Sequence, residues 1–227
     1  MSDYKTVGFI GFADNNVRTV EDFYATGLVK GVNHVGGLVG RAERGTFTNG
    51  YATGYITGTS NVGAAFGSLN NTASYVLRNN LYFDSSTSGM TTDAAGSGGT
   101  GPATGLVTAD LQSALPHASW SSSTWGTGTH LYPYLKAIYG SATPQAVEGV
   151  AYLADGTTAA AGAQVGLYGN QYLLNGGTMS TGANGYFYEL IANTSGGGLF
   201  ADARLVINSS KSSSASEKQR SLEKVLV

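Results

Sequence analysis

Asp14 and Glu43 lie 29 residues apart, close to the 27-residue interval at which short phrases of this sequence recur. Glycoside hydrolysis needs two carboxylates that face each other across a groove, one as acid and one as base or nucleophile. Neighbouring turns of a repeat could supply such a pair, and Asp14 with Glu43 is the best spaced among Asp14, Glu21, Asp22, Glu43 and Asp84. Arg41 and Arg44 flank Glu43, however, and predict surface ion pairs of small energetic value instead. His34, His117 and His130 are isolated, without a second histidine or an acid at metal-ligand spacing. No serine sits in a G-x-S-x-G elbow. Gly96 to Gly101 is glycine-rich but lacks a following Lys-Ser/Thr and a helix to present amides to phosphate, so it reads as a flexible loop. Asp93, Asp155 and Asp202 are scattered outside any calcium-loop pattern. Asn70, Asn193 and Asn208 open sequons of a kind common by chance in Asn/Ser/Thr-rich sequence. The residues therefore predict no catalytic, cofactor-binding or metal site, and no enzyme.

Composition narrows the remaining classes. Of 227 residues only 11% are charged, against about 25% in ordinary globular proteins, while 34 are glycine and 14 tyrosine. Such an uncharged polar profile suits long β-sheets with hydroxyls and amides outward. A net charge of −2, with Arg78 and Lys136 the only Lys or Arg between Gly45 and Ala203, offers no handle for nucleic acid. The absence of cysteine excludes disulfides and thiolate chemistry. Met1 to Ile10 lacks the pattern of a signal peptide, and no run approaches the 18 apolar residues of a membrane span.

The elements that would position any site follow from the repeat. Phe23-Tyr24-Ala25-Thr26-Gly27 precedes Val35-Gly36-Gly37-Leu38-Val39-Gly40; Gly50-Tyr51-Ala52-Thr53-Gly54 precedes Val62-Gly63-Ala64-Ala65-Phe66-Gly67. Val7-Gly8-Phe9-Ile10-Gly11 is a vestige upstream, and this start within a repeat predicts a fragment of a longer protein. Short β-branched and aromatic runs between Gly and Asn-Gly turns, as at Thr48-Asn49-Gly50, predict strands. A fixed period of this size predicts stacked β-structure. The expectation is an all-β chain whose residues 1–84 form a short right-handed parallel β-helix. Val35, Leu38, Val62, Phe66, Tyr24 and Tyr51 would point inward, with the tyrosines stacked in a ladder. Three coils rise only about 15 Å at the ordinary strand spacing.

Residues 85–146 read as a loop-rich linker and cap. Ser85 to Gly105 is loop by composition, and Thr108 to Leu115 is a short helix with Thr108 as N-cap and Pro116 as stop. Trp120, Trp125, Leu131, Tyr132, Tyr134, Leu135 and Ile138 would close the open end of the stack. Residues 147–203 read as a small antiparallel β-sandwich-like unit, with strands over Val147–Leu153, Ala163–Tyr168 and Tyr186–Ala192 and turns at Asp155-Gly156 and Asn184-Gly185. Residues 204–227 form a basic, Ser-rich tail. It is expected to be disordered or a short helix, with Ser214 and Glu217 matching a capping box.

The stretch HVGGLVGRAERGTFTNGYATGYITGTSNVGAAFG resembles the GLUG repeat of large bacterial exoproteins similar to filamentous-haemagglutinin-type adhesins. NNLYFDSSTSGM, GLVTADLQSALP and SWSSSTWGTGTHLYPYL resemble the segment that ends such blocks, so the likeness covers about residues 20 to 140. VEGVAYLADGTTAAAGAQVGLYG with STGANGYFYELI resembles a carboxypeptidase-regulatory-like β-sandwich. These resemblances imply a secreted or surface-held passenger region with a β-helical shaft, non-enzymatic, exposed outside the cell. Its partners would be further repeats of the parent protein and a host or neighbouring-cell glycan or surface protein, with no nucleic acid and no membrane insertion. Tyr55 and Tyr75 are candidates for stacking on sugars. Ala64-Ala65-Phe66 departs from the pattern and is expected to mark the last coil. A β-helix carbohydrate-active enzyme and a self-assembling matrix or spacer protein are the alternative readings.

Overall fold

Runs of Val, Ile, Phe and Tyr between glycines favour extended backbone, and strands dominate. Among the described residues half are strand and 7% helix, an all-β chain. The structure is a computed structural model describing residues 6–16, 19–70, 72, 75–95, 99, 101–112, 114–140, 142–169, 172–192, 205–210 and 221–222.

Residues 6 to 106 build four parallel sheets. Thr6–Val7, Asn33–Gly36 and Ser60–Gly63 form the first. Ile10–Ala13, Val39–Ala42, Phe66–Leu69 and Ala94–Ala95 form the second. The third holds Thr19–Ala25, Gly45–Ala52, Val76–Asp84 and Thr104–Leu106. Val29–Lys30 with Ile56–Thr57 makes the fourth. Pairing joins Tyr24 to Tyr51, Val29 to Ile56, Val35 to Val62 and Val39 to Phe66, each the counterpart 27 residues on. Ala94–Ala95 continues the second sheet beyond Phe66, so the Ala64-Ala65-Phe66 phrase is not the last rung.

Alternation sorts side chains to two faces of the third sheet. Phe23, Ala25, Phe47, Ala52, Leu81 and Phe83 turn into a core with Leu38, Val39 and Phe66. Val35 is also fully buried. Gly37 is required in this core, since a side chain there would meet Ala52 Cβ at 2.8 Å and the Ala64 carbonyl. Tyr24 and Tyr51, expected to point inward, instead face the other way with Tyr82, at matching positions of three strands, because alternation turns them away from Phe23 and Ala52.

A second ladder explains the shape of the third sheet. Asp22, Asn49 and Asn80 all take positive φ, at 52°, 56° and 53°. Asn and Asp tolerate this conformation best among residues with a side chain. The Asn49-Gly50 pair, expected as a turn, is therefore a bend inside the strand Gly45–Ala52. His34 and Asn61 repeat the device in the first sheet, at 53° and 50°.

The aromatic segment after Pro116 lies along the side of the stack rather than over its end. Trp125 packs on Tyr24 and Tyr51, and Trp120 on Tyr51 and Tyr82, so the two indoles span three rungs. The reason is the outward tyrosine row, which leaves an apolar flank to be covered. The helix expected over Thr108–Leu115 is one turn, Thr108–Leu111, capped from Val107 without a side-chain bond. Thr108 instead gives its hydroxyl to Asp84. Ser85 to Gly105, expected as loop, holds a helical turn at Ser85–Ser88 and the strand Ala94–Ala95.

Beyond Pro144 the strands pair antiparallel. Gln145–Val150 pairs with Tyr186–Ile191, and Gln164–Gly169 pairs with Tyr172–Ser180 and Leu205–Ser210. Val147, Val165, Leu167 and Phe187 form the core between the two sheets. Leu205–Ser210 and Ser221–Leu222 are paired strands, where the tail was expected to be disordered or helical. The Ser214–Glu217 capping box lies outside the described residues, as do Asn193 and Asp202.

Candidate binding site at the seam

The most buried acid among the described residues begins the seam between the parallel and antiparallel parts. Asp84 ends the third-sheet strand Val76–Asp84 and is fully buried. Its Oδ1 accepts the N–H groups of Ser86 at 2.8 Å and Thr87 at 3.1 Å, capping the turn Ser85–Ser88. Its Oδ2 accepts the hydroxyls of Thr108 at 2.7 Å and Tyr132 at 2.5 Å. Four donors thus satisfy one carboxylate in a dry site. Thr87 then donates its hydroxyl to the Thr53 carbonyl at 2.6 Å, and its carbonyl accepts the Ala183 N–H at 2.7 Å. One short turn thus grips both halves of the chain.

Tyrosines fill the rest of the seam. Tyr51 stacks on Tyr24 at 5.3 Å, 7° from parallel, and on Tyr132 at 6.0 Å. Its hydroxyl donates to the Pro133 carbonyl at 2.7 Å. Tyr132 meets Tyr188 edge to face at 4.7 Å. Tyr188 accepts the Tyr132 N–H at 3.1 Å; Tyr186 donates to Glu148 and accepts from Gln112 at 2.9 Å. Burial raises the pKa of Tyr24, Tyr51, Tyr132, Tyr139, Tyr186 and Tyr188; the Asp84 charge adds to this for Tyr132, and the bond to Glu148 for Tyr186. None of them is a nucleophile at neutral pH.

A cleft of about 420 Å³ opens along this seam. Tyr132, Tyr186, Tyr188, Gln164, Thr178, Ser180 and Glu189 line it, joined by Thr26 and Thr53 from the parallel part. Tyr186 and Tyr188 stand on one face of their strand, ring centres 6.5 Å apart and 26° from parallel. Glu148 pairs with Tyr188 and Glu189 with Val147, so the two glutamates occupy opposite faces of the sheet. This cleft is of the size and mixed character of small-molecule sites.

The residues singled out in the sequence lie elsewhere and are committed to other contacts. Ala13 pairs with Ala42, so Asp14 and Glu43 do follow at matching positions. Yet Asp14 accepts from Asn16 N at 2.9 Å, while Glu43 holds the Arg41 guanidinium and accepts from Asn70 at 2.7 Å. His34 bonds Ser68 at 2.6 Å and His117 bonds Ser119 at 2.9 Å. His130, exposed, stands 3.9 Å from Glu148. Among the described residues no three His, Cys, Asp or Glu converge on a metal position. Asp93 pairs with buried Arg78. Asp155 is held down to about 2 by the Thr158 hydroxyl and N–H in an exposed turn. Tyr75 lies under the Arg44 guanidinium at 4.2 Å, and Tyr55 lies against Gly89 and Gly162.

Sequence reasoning missed Asp84, Tyr186 and Tyr188 as a group because their partners are 24 to 74 residues away. The alternation Tyr186-Phe187-Tyr188 was the available signal: two aromatics on the outer face of a strand. Comparison with family models, curated proteins and solved structures gave no match.

Proposed function

We propose that this chain is a region of a bacterial secreted or cell-surface adhesin of the GLUG-repeat, filamentous-haemagglutinin type. On this reading the four parallel sheets are the faces of a short right-handed parallel β-helix, and the chain works outside the cell. The helix is a shaft. It buries one apolar stripe and turns Thr, Ser and Asn outward, and it holds the antiparallel unit as a binding surface. The observation that carries the reading is the register, with Tyr24 on Tyr51 and Val35 on Val62 at the interval of the sequence repeat. Weak contacts to a host or neighbouring-cell glycan or surface protein gain strength from many copies in the parent molecule, by factors of about 10² to 10⁴.

Two observations favour binding over hydrolysis. Glu43, the best carboxylate of the repeat, is tied to Arg41 and Asn70. Glu148 and Glu189 lie on opposite faces of one sheet, whereas hydrolysis of a glycosidic bond needs two carboxyls flanking it. Beads carrying many copies of the chain test the reading. They should adhere to cells while the single chain binds weakly; beads that bind no better than blank ones would end it. Growth of assemblies with concentration, in the absence of any cell or glycan, would favour a matrix protein instead.

A further inference from the structure

We propose that the seam cleft is a binding site for a neutral mono- or disaccharide. The proposal deepens the adhesin reading and rests on it for biological sense, but the chemistry is argued from the cleft alone. Tyr186 and Tyr188 present two rings from one strand face to the cleft, 6.5 Å between centres with their planes 26° apart. The C–H face of a pyranose packs on such a surface with little loss of conformational freedom, because the rings are already fixed. The Tyr186 hydroxyl is held between Glu148 and Gln112, and the Tyr188 hydroxyl by the Tyr132 N–H. Tyr132 is locked below them by Asp84.

Groups matched to sugar hydroxyls line the same cleft. Gln164 donates to Ser180 at 2.6 Å and accepts from Thr178 at 3.0 Å, a chain in which the Gln164 amide and the Ser180 hydroxyl keep donor and acceptor capacity and the Thr178 hydroxyl keeps acceptor capacity. Glu189 and Thr26 extend this polar rim. No Lys, Arg or His is among the described residues that line the cleft, and Glu189 contributes a carboxylate. Sialic acids, uronic acids and phosphates are therefore disfavoured, and neutral sugars are selected. The volume, about 420 Å³, suits one or two rings rather than a long chain.

Saturation-transfer NMR on the whole chain, with glucose, galactose, mannose and N-acetylglucosamine offered separately, tests this. Choline, which would answer to aromatic rings and a carboxylate alone, and N-acetylneuraminic acid are the contrasting probes. Thr26 and Thr178 are exposed rim residues, so T26W/T178W fills the cleft without touching the core. At least one neutral sugar should receive transfer on its ring protons and shift the amides of Gln164, Thr178 and Glu189. T26W/T178W should weaken it about tenfold or more while melting unchanged. No transfer to any of the four sugars, binding that survives the filled cleft, or binding of choline or the sialic acid alone overturns the proposal. Bead adhesion separates the two readings. Wild-type and T26W/T178W beads that adhere equally remove the cleft and leave the adhesin; wild-type beads that do not adhere remove the adhesin, while the NMR still judges the cleft.

Discussion

Tyr132 donates its phenol to Asp84 at 2.5 Å, across 48 residues of chain, with both side chains buried. This bond fastens the aromatic segment to the end of the third sheet. Through Thr87 and Ala183 the same turn reaches the antiparallel sheets. Asp84→Ala should cost about 3–5 kcal/mol, since four buried donors lose their acceptor. Asp84→Asn should cost less, because the amide keeps one acceptor oxygen for the Ser86 and Thr87 N–H groups. Urea unfolding of both variants gives the comparison; equal and small losses would mean that the joint is not structural.

What was legible in the sequence follows a physical line. Val35, Leu38 and Phe66 could be placed in the core because apolar residues between glycines at a fixed interval have few other uses. The Tyr24–Tyr51 stack was legible from the interval, but its side was not: the tyrosines, expected inward, stand on the other face of the sheet. Nor was its covering: the indoles that bury it come from positions 120 and 125. Asn49-Gly50 was misread because the residues that make a hairpin turn also make a left-handed bend within a strand. Asp84 was only one acid among several, since nothing local announces the hydroxyls of Thr108 and Tyr132.

The left-handed ladder carries its own prediction. Asn49 holds φ at 56° and is linked to Asp22 and Asn80 at 3.4 Å each. Asn49→Val should lose about 1–2 kcal/mol from backbone strain alone. Asn49→Gly relieves that strain and should lose less. Thermal melts that rank the two the other way would show that side-chain bonding, not backbone conformation, selects asparagine there.

Arg78 stands where Val20 and Phe47 stand on the neighbouring strands, facing inward, with its guanidinium 5.4 Å from the Phe66 ring and paired to Asp93. Asp93→Ala should cost about 3–5 kcal/mol by leaving that charge unpaired. Arg78→Leu/Asp93→Ala should recover most of the loss, as measured in a double-mutant cycle. Burial raises the Asp93 pKa although Arg78 pulls it down. Between about pH 4 and that raised value the native state therefore holds a proton that the unfolded chain has released. The stability from this group is complete below about pH 4 and declines as pH rises through the raised value.

The seam tyrosines set the alkaline limit. Tyr24, Tyr51, Tyr82, Tyr132, Tyr139, Tyr186 and Tyr188 all have raised pKa values, with burial the largest cause. Their contribution is intact below about pH 10, where the unfolded phenols are still neutral, and is lost as pH rises further and only the unfolded chain ionises. Tyrosinate absorbance and circular dichroism followed together against pH should show these phenols ionising in one step with unfolding. A gradual titration with the sheet signal intact would contradict the packing described.

The parallel register of the repeat can be read by cross-linking, since the chain has no cysteine of its own. Asn33 pairs with Ser60, and the Ser60 hydroxyl donates to the Asn33 side chain at 2.9 Å. Asn33→Cys/Ser60→Cys should close an intrachain disulfide rapidly under mild oxidation, within the span that such a bond allows. Asn33→Cys/Thr57→Cys should not, because Thr57 lies in a different sheet, paired with Lys30. Fast closure of the first pair alone is the predicted result; equal closure of both, or closure only of the second pair, would contradict the stacking on which the shaft depends.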